Sequence, residues 1–244
     1  MEIDYVRHYK RFHSTDDAHY VQMQEFYIPL LNPILKGMPK KARILDIGCG
    51  MGLLVNALIQ EGFHGTSGID LSSGMIDLAE QKNLPCTKVD ENGVYDRADR
   101  EPGSLDAIFL VDVLEHIPVN QQISFVNAIF RLLSKNGVLV LVVPNANSPV
   151  AARYRYIDWT HTSAFTEHSL HFVTASAGFE SLDFLPYSVS APTSFPHINQ
   201  PRFWTKQLRH LTRSFRRLEM IGELGRQGFR IPLDVNLLAV ARKA

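Results

Sequence analysis

The 244-residue chain has few cysteines and no excess of charge of either sign. It contains two cysteines, Cys49 and Cys86, and 25 Lys and Arg residues balance 25 Asp and Glu residues. Two cysteines provide no disulfide framework, so we expect a reducing compartment. A neutral chain has no general electrostatic reason to bind nucleic acid, and we predict no nucleic-acid partner.

Long apolar runs are also missing. The longest, near 107–111 and 138–143, have the length of strands, and the first five residues contain no apolar signal-peptide core. We therefore expect a cytoplasmic protein, with peripheral membrane contact as an open alternative. We also expect a monomer or homodimer.

Three closely spaced glycines follow a pattern typical of a buried strand. The apolar stretch at 44–47 suits a parallel strand covered on both faces, and apolar residues at helical spacing follow the glycines. Gly48, Gly50 and Gly52 allow a tight turn and a close approach to a ligand. Such a turn also opens dinucleotide-binding units, but the carboxylate of Asp46 would repel a pyrophosphate and attract an ammonium group.

The run D-I-G-C-G-M-G at 46–52 resembles motif I of the class I S-adenosylmethionine (SAM) methyltransferases. This resemblance implies an α/β fold with a doubly wound, seven-stranded, mostly parallel sheet. SAM would bind at the carboxyl ends of the central strands, and S-adenosylhomocysteine would be the product. Asp46, Gly48, Cys49 and Gly50 are then predicted cofactor residues.

Acidic residues at two later strand ends complete the predicted cofactor site. Asp70 lies about twenty residues beyond the glycines, the spacing at which a carboxylate accepts both hydroxyls of a ribose. The alternative is a helix-capping aspartate, although a neighbouring serine can cap instead. Within the resemblance, Asp70 binds the ribose and Leu71 packs on the adenine. Asp90 accepts from the adenine amino group, and Glu91 contributes through its backbone.

The stretch 106–117, D-A-I-F-L-V-D-V-L-E-H-I, resembles the motif after the fourth strand in small-molecule methyltransferases. In that family the exit of this strand lies beside the sulfonium and the methyl group. Val111 and His116 are therefore predicted to contact the cofactor. We expect the Glu115-His116 pair to shape the loop rather than to supply a base.

The segment 156–166 places an acid, an imidazole and several aromatic residues in one loop after a central strand. With 165–170 and 177–179, it resembles the D-x-T-H, F-T-x-x-S-L and A-G-F elements of methyltransferases often associated with quinones or bacterial sugars. We predict that His161 accepts the acceptor's proton and that Asp158 orients it. The alternative is that both residues only hold the loop in place by hydrogen bonds.

These motifs predict methyl transfer from SAM to a small-molecule hydroxyl, with a sugar or glycan precursor preferred to a quinone-like phenol. N-methylation of an amine and a non-catalytic SAM-binding subunit remain alternatives. No group of metal-ligating residues at suitable spacing indicates a metal site.

Four segments are predicted. Residues 1–41 form a helical lid, in which Tyr5, Tyr9 and His13 either reach the acceptor or pack against the protein. Residues 42–187 form the SAM-binding core, 188–232 form an insertion, and 233–244 form a final reversed strand at the sheet edge.

The insertion contains a helix with apolar residues at three- and four-residue steps, together with six basic residues: Arg202, Lys206, Arg209, Arg213, Arg216 and Arg217. Across 202–217 this basic amphipathic helix can contact anionic lipid, a phosphorylated acceptor or nucleic acid. Alternatively, its apolar side roofs the acceptor pocket and its arginines face solvent.

Overall fold

A computed structural model describes residues 6, 14–187 and 201–244. Seven strands form one sheet: β1 (Ile44–Ile47), β2 (Thr66–Asp70), β3 (Cys86–Lys88), β4 (Leu105–Val111), β5 (Leu133–Pro144), β6 (Ser181–Leu185) and β7 (Asn236–Arg242). The described helices are α1 (Asp17–Leu35), α2 (Leu53–Gln60), α3 (Ser73–Glu80), α4 (Gly93–Arg100), α5 (Val119–Leu132), α6 (Ala151–Tyr156), α7 (Glu167–Ser176) and α8 (Pro201–Leu224). Two short 3-10 helices, Leu114–His116 and Gly225–Phe229, follow β4 and α8.

The sheet has the strand order β3-β2-β1-β4-β5-β7-β6. Strands β1 to β5 are parallel to their neighbours, whereas β7 is antiparallel to both β5 and β6. The predicted doubly wound, mostly parallel seven-stranded sheet is therefore confirmed.

The last strand is reversed, as predicted, but its predicted place at the sheet edge is wrong. β7 lies between β5 and β6, and β6 forms the edge. Six of the seven β7 residues are buried, while β6 has no buried residue. An apolar strand with this burial needs a neighbour on each side, so the more polar β6 takes the edge.

Helices cover both faces of the sheet, because the strands carry apolar side chains on both sides. On one face, Ile108 and Leu110 of β4 belong to a buried cluster with Ile129 of α5. On the other, Phe109 belongs to a cluster with Leu31 of α1 and with residues of α2. The first helix is thus part of the core, and its role as a lid stays a prediction. Tyr5, Tyr9 and His13 lie outside the described residues.

The helix predicted in the insertion is present as α8, but the predicted roof arrangement is wrong. The apolar residues Leu208, Leu211 and Phe215 are more than half exposed. The side chains of Arg213 and Arg216 are less than one-third exposed. The side chains of Arg202 and Lys206 lie outside the described part of the chain. Within the described residues, no helix is long and apolar enough to cross a membrane.

Candidate active site

The glycine turn between β1 and α2 forms the first part of the site. The backbone φ angles are 74° at Gly48, 54° at Gly50 and 79° at Gly52, a region that glycine enters without steric cost. A Cβ at Gly48 would lie 2.4 Å from Cγ2 of Val113, whereas a Cβ at Gly50 would have no atom within 4 Å. The turn is therefore packed against the exit of β4 and is open at Gly50.

Backbone hydrogen bonds join this turn to the end of β2. The amides of Gly48 and Cys49 donate to the carbonyl oxygen of Ile69, at 2.8 and 3.1 Å. The amide of Gly50 donates to Oδ2 of Asp70 at 2.8 Å. The fold thus brings four predicted cofactor residues together: Gly48, Cys49, Gly50 and Asp70.

The carboxylate of Asp70 connects the two turns and keeps acceptor capacity. Its Oδ1 accepts from the amide of Ser72 at 2.8 Å, and its Oδ2 accepts from Gly50. Each carboxylate oxygen has a second lone pair that a ribose hydroxyl can use. Ser72 is the N-cap of α3, and its hydroxyl accepts from the amide of Met75, so Asp70 is not the helix cap.

Asp46 lies within β1 and is 3% exposed. Burial, with smaller contributions from Cys86 and Asp70, raises the pKa of its carboxyl well above the usual range. A positively charged ligand group beside Asp46 would favour the ionised form again. Asp46 is therefore suited to meet the ammonium group for which the sequence predicts it.

The remaining cofactor residues on this side are open to solvent. Leu71, directly after β2, is 57% exposed and is free to pack on a planar ring. Asp90 and Glu91 are both exposed after β3, and Oδ1 of Asp90 accepts from the amide of Asn92 at 3.0 Å. No described contact joins Asp90 or Glu91 to the glycine turn, so their cofactor roles stay predictions.

The first helix is attached directly to the glycine turn. The hydroxyl of Tyr20 on α1 donates to the carbonyl oxygen of Met51 at 2.7 Å, and this bond is buried. Tyr20 and Met51 also belong to a buried cluster with Leu53 and Met75. Sequence reasoning missed this contact, because no local pattern indicates a hydrogen bond between residues 31 positions apart.

The exit of β4 forms the second part of the site. Val111 ends the strand, and Asp112 follows with a φ of 53°, unusual for a residue other than glycine. Desolvation by the surrounding protein raises the pKa of Asp112 to about 6. Part of the residue is nevertheless exposed to solvent. The side-chain amide of Asn236 donates to Oδ1 of Asp112 at 3.4 Å.

Glu115 is completely buried in the following 3-10 helix. Neither of its carboxyl oxygens has a hydrogen-bond partner among the described residues, and burial, followed by the charge of Asp112, raises its pKa well above the usual range. Its backbone carbonyl, in contrast, accepts from both the amide and the hydroxyl of Thr162, at 2.7 and 2.9 Å. This carbonyl binds the predicted acceptor loop to the β4 exit.

A hydrogen-bond chain connects His116 to Asp158. The Thr160 hydroxyl donates to Oδ1 of Asp158 at 2.7 Å and lies 2.7 Å from Nδ1 of His116. Because this hydroxyl proton is used toward Asp158, Nδ1 of His116 is the donor and Nε2 keeps a lone pair. Burial, then the neighbouring His161, lowers the pKa of His116 to about 4, so its ring is neutral at neutral pH.

These hydrogen bonds correct the predicted role of Asp158. The sequence interpretation has Asp158 orient His161, but the structure connects Asp158 to His116 through Thr160. Burial favours a higher pKa for Asp158, but hydrogen bonds from the Thr160 amide and hydroxyl outweigh it and lower the pKa. Asp158 therefore holds the loop and His116 as a carboxylate.

His161 is held by the backbone instead. Its Nδ1 lies 3.0 Å from the carbonyl oxygen of Tyr154, which can only accept, so Nδ1 carries the proton and Nε2 keeps a lone pair. The rings of His116 and His161 meet edge to face with centroids 4.7 Å apart. His116, predicted to contact the cofactor, and His161, predicted to be catalytic, are therefore in direct contact.

Glu115, His116 and His161 offer ligand atoms that all lie within 4.8 Å of one another. One carboxylate and two imidazoles form a donor set that transition metals bind. Sequence spacing did not predict this group, because His161 is far along the chain from the Glu115-His116 pair. The predicted absence of a metal was drawn from spacing alone and is untested.

A cavity of about 180 Å³ lies between α1 and the ends of β4 and β5. Its lining is mostly apolar and aromatic, with Met23, Phe26, Tyr27, Val111 and Val142, and it includes the polar side chains of Asp112 and Tyr187. A cavity of about 150 Å³ holds one benzene ring. The space beside the predicted methyl position therefore suits an aromatic ring.

Comparisons with known proteins agree with this fold and these motifs. The family model described as "Methyltransferase domain" matches residues 18–183. A ubiquinone biosynthesis O-methyltransferase of Xanthomonas campestris pv. campestris is 36% identical over 107 residues, 43% of this chain and 44% of that protein. The same-named protein of Psychrobacter arcticus is 32% identical over 181 residues, 68% of this chain and 66% of that protein. The match thus spans less than half of the first of these relatives.

Solved structures share the fold. A SAM-dependent methyltransferase from Archaeoglobus fulgidus superposes with a TM-score of 0.64 at 21% identity, covering 99% of this chain and 100% of that one. The trans-methyltransferase CalH in complex with S-adenosylhomocysteine has a TM-score of 0.58 at 17% identity, covering 92% of this chain and 58% of that one.

The fold and the glycine-turn site define the class of protein as a class I SAM-dependent methyltransferase, which confirms the predicted resemblance. The chain belongs to the methyltransferase domain family.

Proposed function

We propose that this chain transfers the methyl group of SAM to a phenolic hydroxyl on an aromatic acceptor of the quinone-precursor kind. The observation that carries the proposal is the position of the apolar 180 Å³ cavity, whose lining residues Val111 and Asp112 lie at the same β4 exit as His116. The relatives named for ubiquinone biosynthesis support a phenol in preference to a sugar. The sugar that the sequence interpretation prefers would also need more polar partners than this lining offers.

SAM would lie across the glycine turn. Its ammonium group would meet Asp46, its ribose hydroxyls would bind Asp70, and its adenine would pack on Leu71. The Gly50 side of the turn has open space for this approach. Gly48 packs against Val113 at the β4 exit, so a cofactor on the turn would present its methyl group toward that exit.

The reaction is an in-line displacement at the methyl carbon. The acceptor oxygen forms a bond to this carbon while the carbon–sulfur bond breaks, and the sulfonium becomes a neutral thioether. The phenolic proton passes to Nε2 of His161, whose lone pair is free because Nδ1–H is directed at the Tyr154 carbonyl. His116 and Asp158 act as positioning residues in this proposal, since Thr160 connects them beside His161.

A second arrangement is favoured by the two unpartnered oxygens of Glu115. A divalent cation bound by Glu115, His116 and His161 could lower the pKa of a phenol that binds to it. The two arrangements exclude each other at His161, because one Nε2 lone pair cannot bind a cation and accept a proton together. The base arrangement is preferred, since burial alone can keep Glu115 protonated and neutral.

The test is methyl transfer from labelled SAM to matched acceptors: a catechol, a nucleotide sugar and a primary amine. We expect label on a phenolic oxygen of the catechol and none above background on the other two. Label on the sugar would return the acceptor to the class that the sequence interpretation prefers. SAM binding without transfer to any acceptor would support the non-catalytic alternative, and no binding of SAM or S-adenosylhomocysteine would overturn the proposal.

A further inference from the structure

Helix α8 carries a stripe of large apolar residues on the outside of the protein. The stripe consists of Trp204, Leu208, Leu211, Phe215 and Leu218, which are between 53% and 64% exposed. They recur at steps of three and four residues, so they share one side of a helix with 3.6 residues per turn. An amphipathic helix of a globular protein normally directs such a stripe toward the core.

The opposite side of α8 is held to the protein by charged groups. Nη1 of Arg213 lies 2.7 Å from Oδ1 of Asp234, and both side chains are about three-quarters buried. Nη1 of Arg217 donates to the carbonyl oxygen of Ile231 at 2.7 Å. These bonds set the rotation of the helix, so the apolar stripe faces away from the core because the arginines face toward it.

The charge of α8 indicates what would cover the stripe. Residues 202–218 include six Arg and Lys residues and no Asp or Glu. Arg209 is exposed and has no ion-pair partner among the described residues. Arg213 and Arg216 are neutralised by Asp234 and Glu219, so Arg209 carries a positive charge that is not paired within the described residues. Two copies joined through this stripe would bring these like charges closer together, whereas an anionic surface would attract them.

We propose that α8 is an interfacial helix that lays this stripe into the surface of a bilayer containing anionic phospholipid. Trp, Leu and Phe on one side with Arg and Lys on the other is the composition of helices that lie in the membrane interface. The long side chain of Arg209, which is exposed, can reach the headgroups while its stem lies along the helix. This inference goes beyond the proposed methyl transfer and does not depend on it.

The test is co-sedimentation of the full chain with vesicles of phosphatidylcholine alone and with an equimolar mixture of phosphatidylcholine and phosphatidylglycerol. We expect binding to the mixed vesicles, weaker binding at high salt, and little binding to phosphatidylcholine alone. In a Trp159→Phe background, Trp204 is the remaining tryptophan. Its fluorescence should move to shorter wavelength when the mixed vesicles are added.

Matched substitutions show whether the stripe is responsible. Phe215→Ser should weaken vesicle binding about tenfold or more, because a buried aromatic side chain contributes at least one factor of ten. Phe172→Ser on α7 is the control, since Phe172 is 65% exposed and Phe215 is 64% exposed. Equal losses in both variants would overturn the assignment to α8.

Two other outcomes would also overturn the proposal. A dimer in solution that is lost in Phe215→Ser, without vesicle binding, would identify a second copy as the occupant. If the protein neither bound vesicles nor formed a dimer, the stripe would have no role at a membrane. Methyl transfer to a water-soluble catechol should be unchanged in Phe215→Ser, so failure of this inference and failure of the proposed function give different results.

Discussion

The imidazole rings of His116 and His161 meet edge to face with centroids 4.7 Å apart, and each ring has its Nδ1 engaged. Their Nδ1 partners are a hydroxyl that donates elsewhere and a backbone carbonyl, so both Nε2 atoms keep lone pairs. In the proposed reaction, Nε2 of His161 accepts the proton of the acceptor hydroxyl, and His116 lies beside it. This pair is therefore where the chemistry can be tested most directly.

We expect His161→Ala to lower kcat by about 100-fold or more, the usual contribution of a positioned base. SAM affinity should change little, because the described contacts of His161 do not include the glycine turn. Single-turnover rates and calorimetric titration with SAM would measure the two quantities. His168→Ala is the control, since the side chain of His168 is 87% exposed on α7. A His161→Ala variant that retains most of its turnover with the acceptor bound normally would contradict the assignment.

Glu115→Gln tests the state of the buried carboxyl. If Glu115 is protonated, a neutral amide of similar shape replaces it, and we expect turnover within about threefold of the wild type, since the hydrogen-bond change is below about 1 kcal/mol. Turnover should also survive EDTA. A large loss in Glu115→Gln, together with turnover that EDTA abolishes and Mg²⁺ or Mn²⁺ restores, would establish the cation arrangement instead.

The cofactor site was predictable from sequence because its parts are local. A strand, three glycines and an acid before them lie within one short segment, and the φ angles of Gly48, Gly50 and Gly52 follow from that residue choice. Asp70 comes at a fixed spacing on the next strand. The structure adds that Asp70 holds the turn by accepting from the Gly50 amide.

The acceptor side was predicted less well because its contacts join distant parts of the chain. Asp158 and His161 are neighbours in sequence, which favours a direct pair, but the Thr160 hydroxyl turns Asp158 toward His116 instead. The sequence pattern also could not predict which side of α8 faces the core. Its periodicity predicts an apolar side, while the ion pair between Arg213 and Asp234 determines which side faces out.

Asp70→Asn should weaken SAM binding about tenfold or more, because a hydrogen bond to a charged group contributes about 1.5–3 kcal/mol. The amide can still accept with one oxygen, so the fold should survive. Calorimetric titration with SAM gives the affinity, and thermal unfolding without ligand checks the stability. Asp77→Asn, at an exposed position on α3, is the control. Equal affinities for Asp70→Asn and Asp77→Asn would remove Asp70 from the cofactor site.

A salt bridge at the opposite end of the sheet gives a prediction about stability and pH. Oδ1 of Asp106 lies 2.8 Å from Nη2 of Arg43, and Oδ2 accepts from the Arg43 amide at 2.9 Å, so the pair joins the chain before β1 to β4. Hydrogen bonding by the Arg43 side chain lowers the pKa of Asp106 to about 2. The carboxylate form is therefore favoured in the folded protein relative to the unfolded chain.

The stabilisation is present above the unfolded pKa of about 3.9 and is lost as the pH falls through about 2. Because the Asp106 side chain is 37% exposed, we expect Asp106→Asn to cost about 1 kcal/mol or less at neutral pH. Urea unfolding at pH 7 and about pH 3 should show this difference shrink by about half at the lower pH. Asp183→Asn should show no such change, since Arg242 is 3.9 Å from Asp183 and both side chains are more than half exposed. A difference that stays constant with pH would mean that Asp106 contributes by packing or neutral hydrogen bonding rather than by its charge.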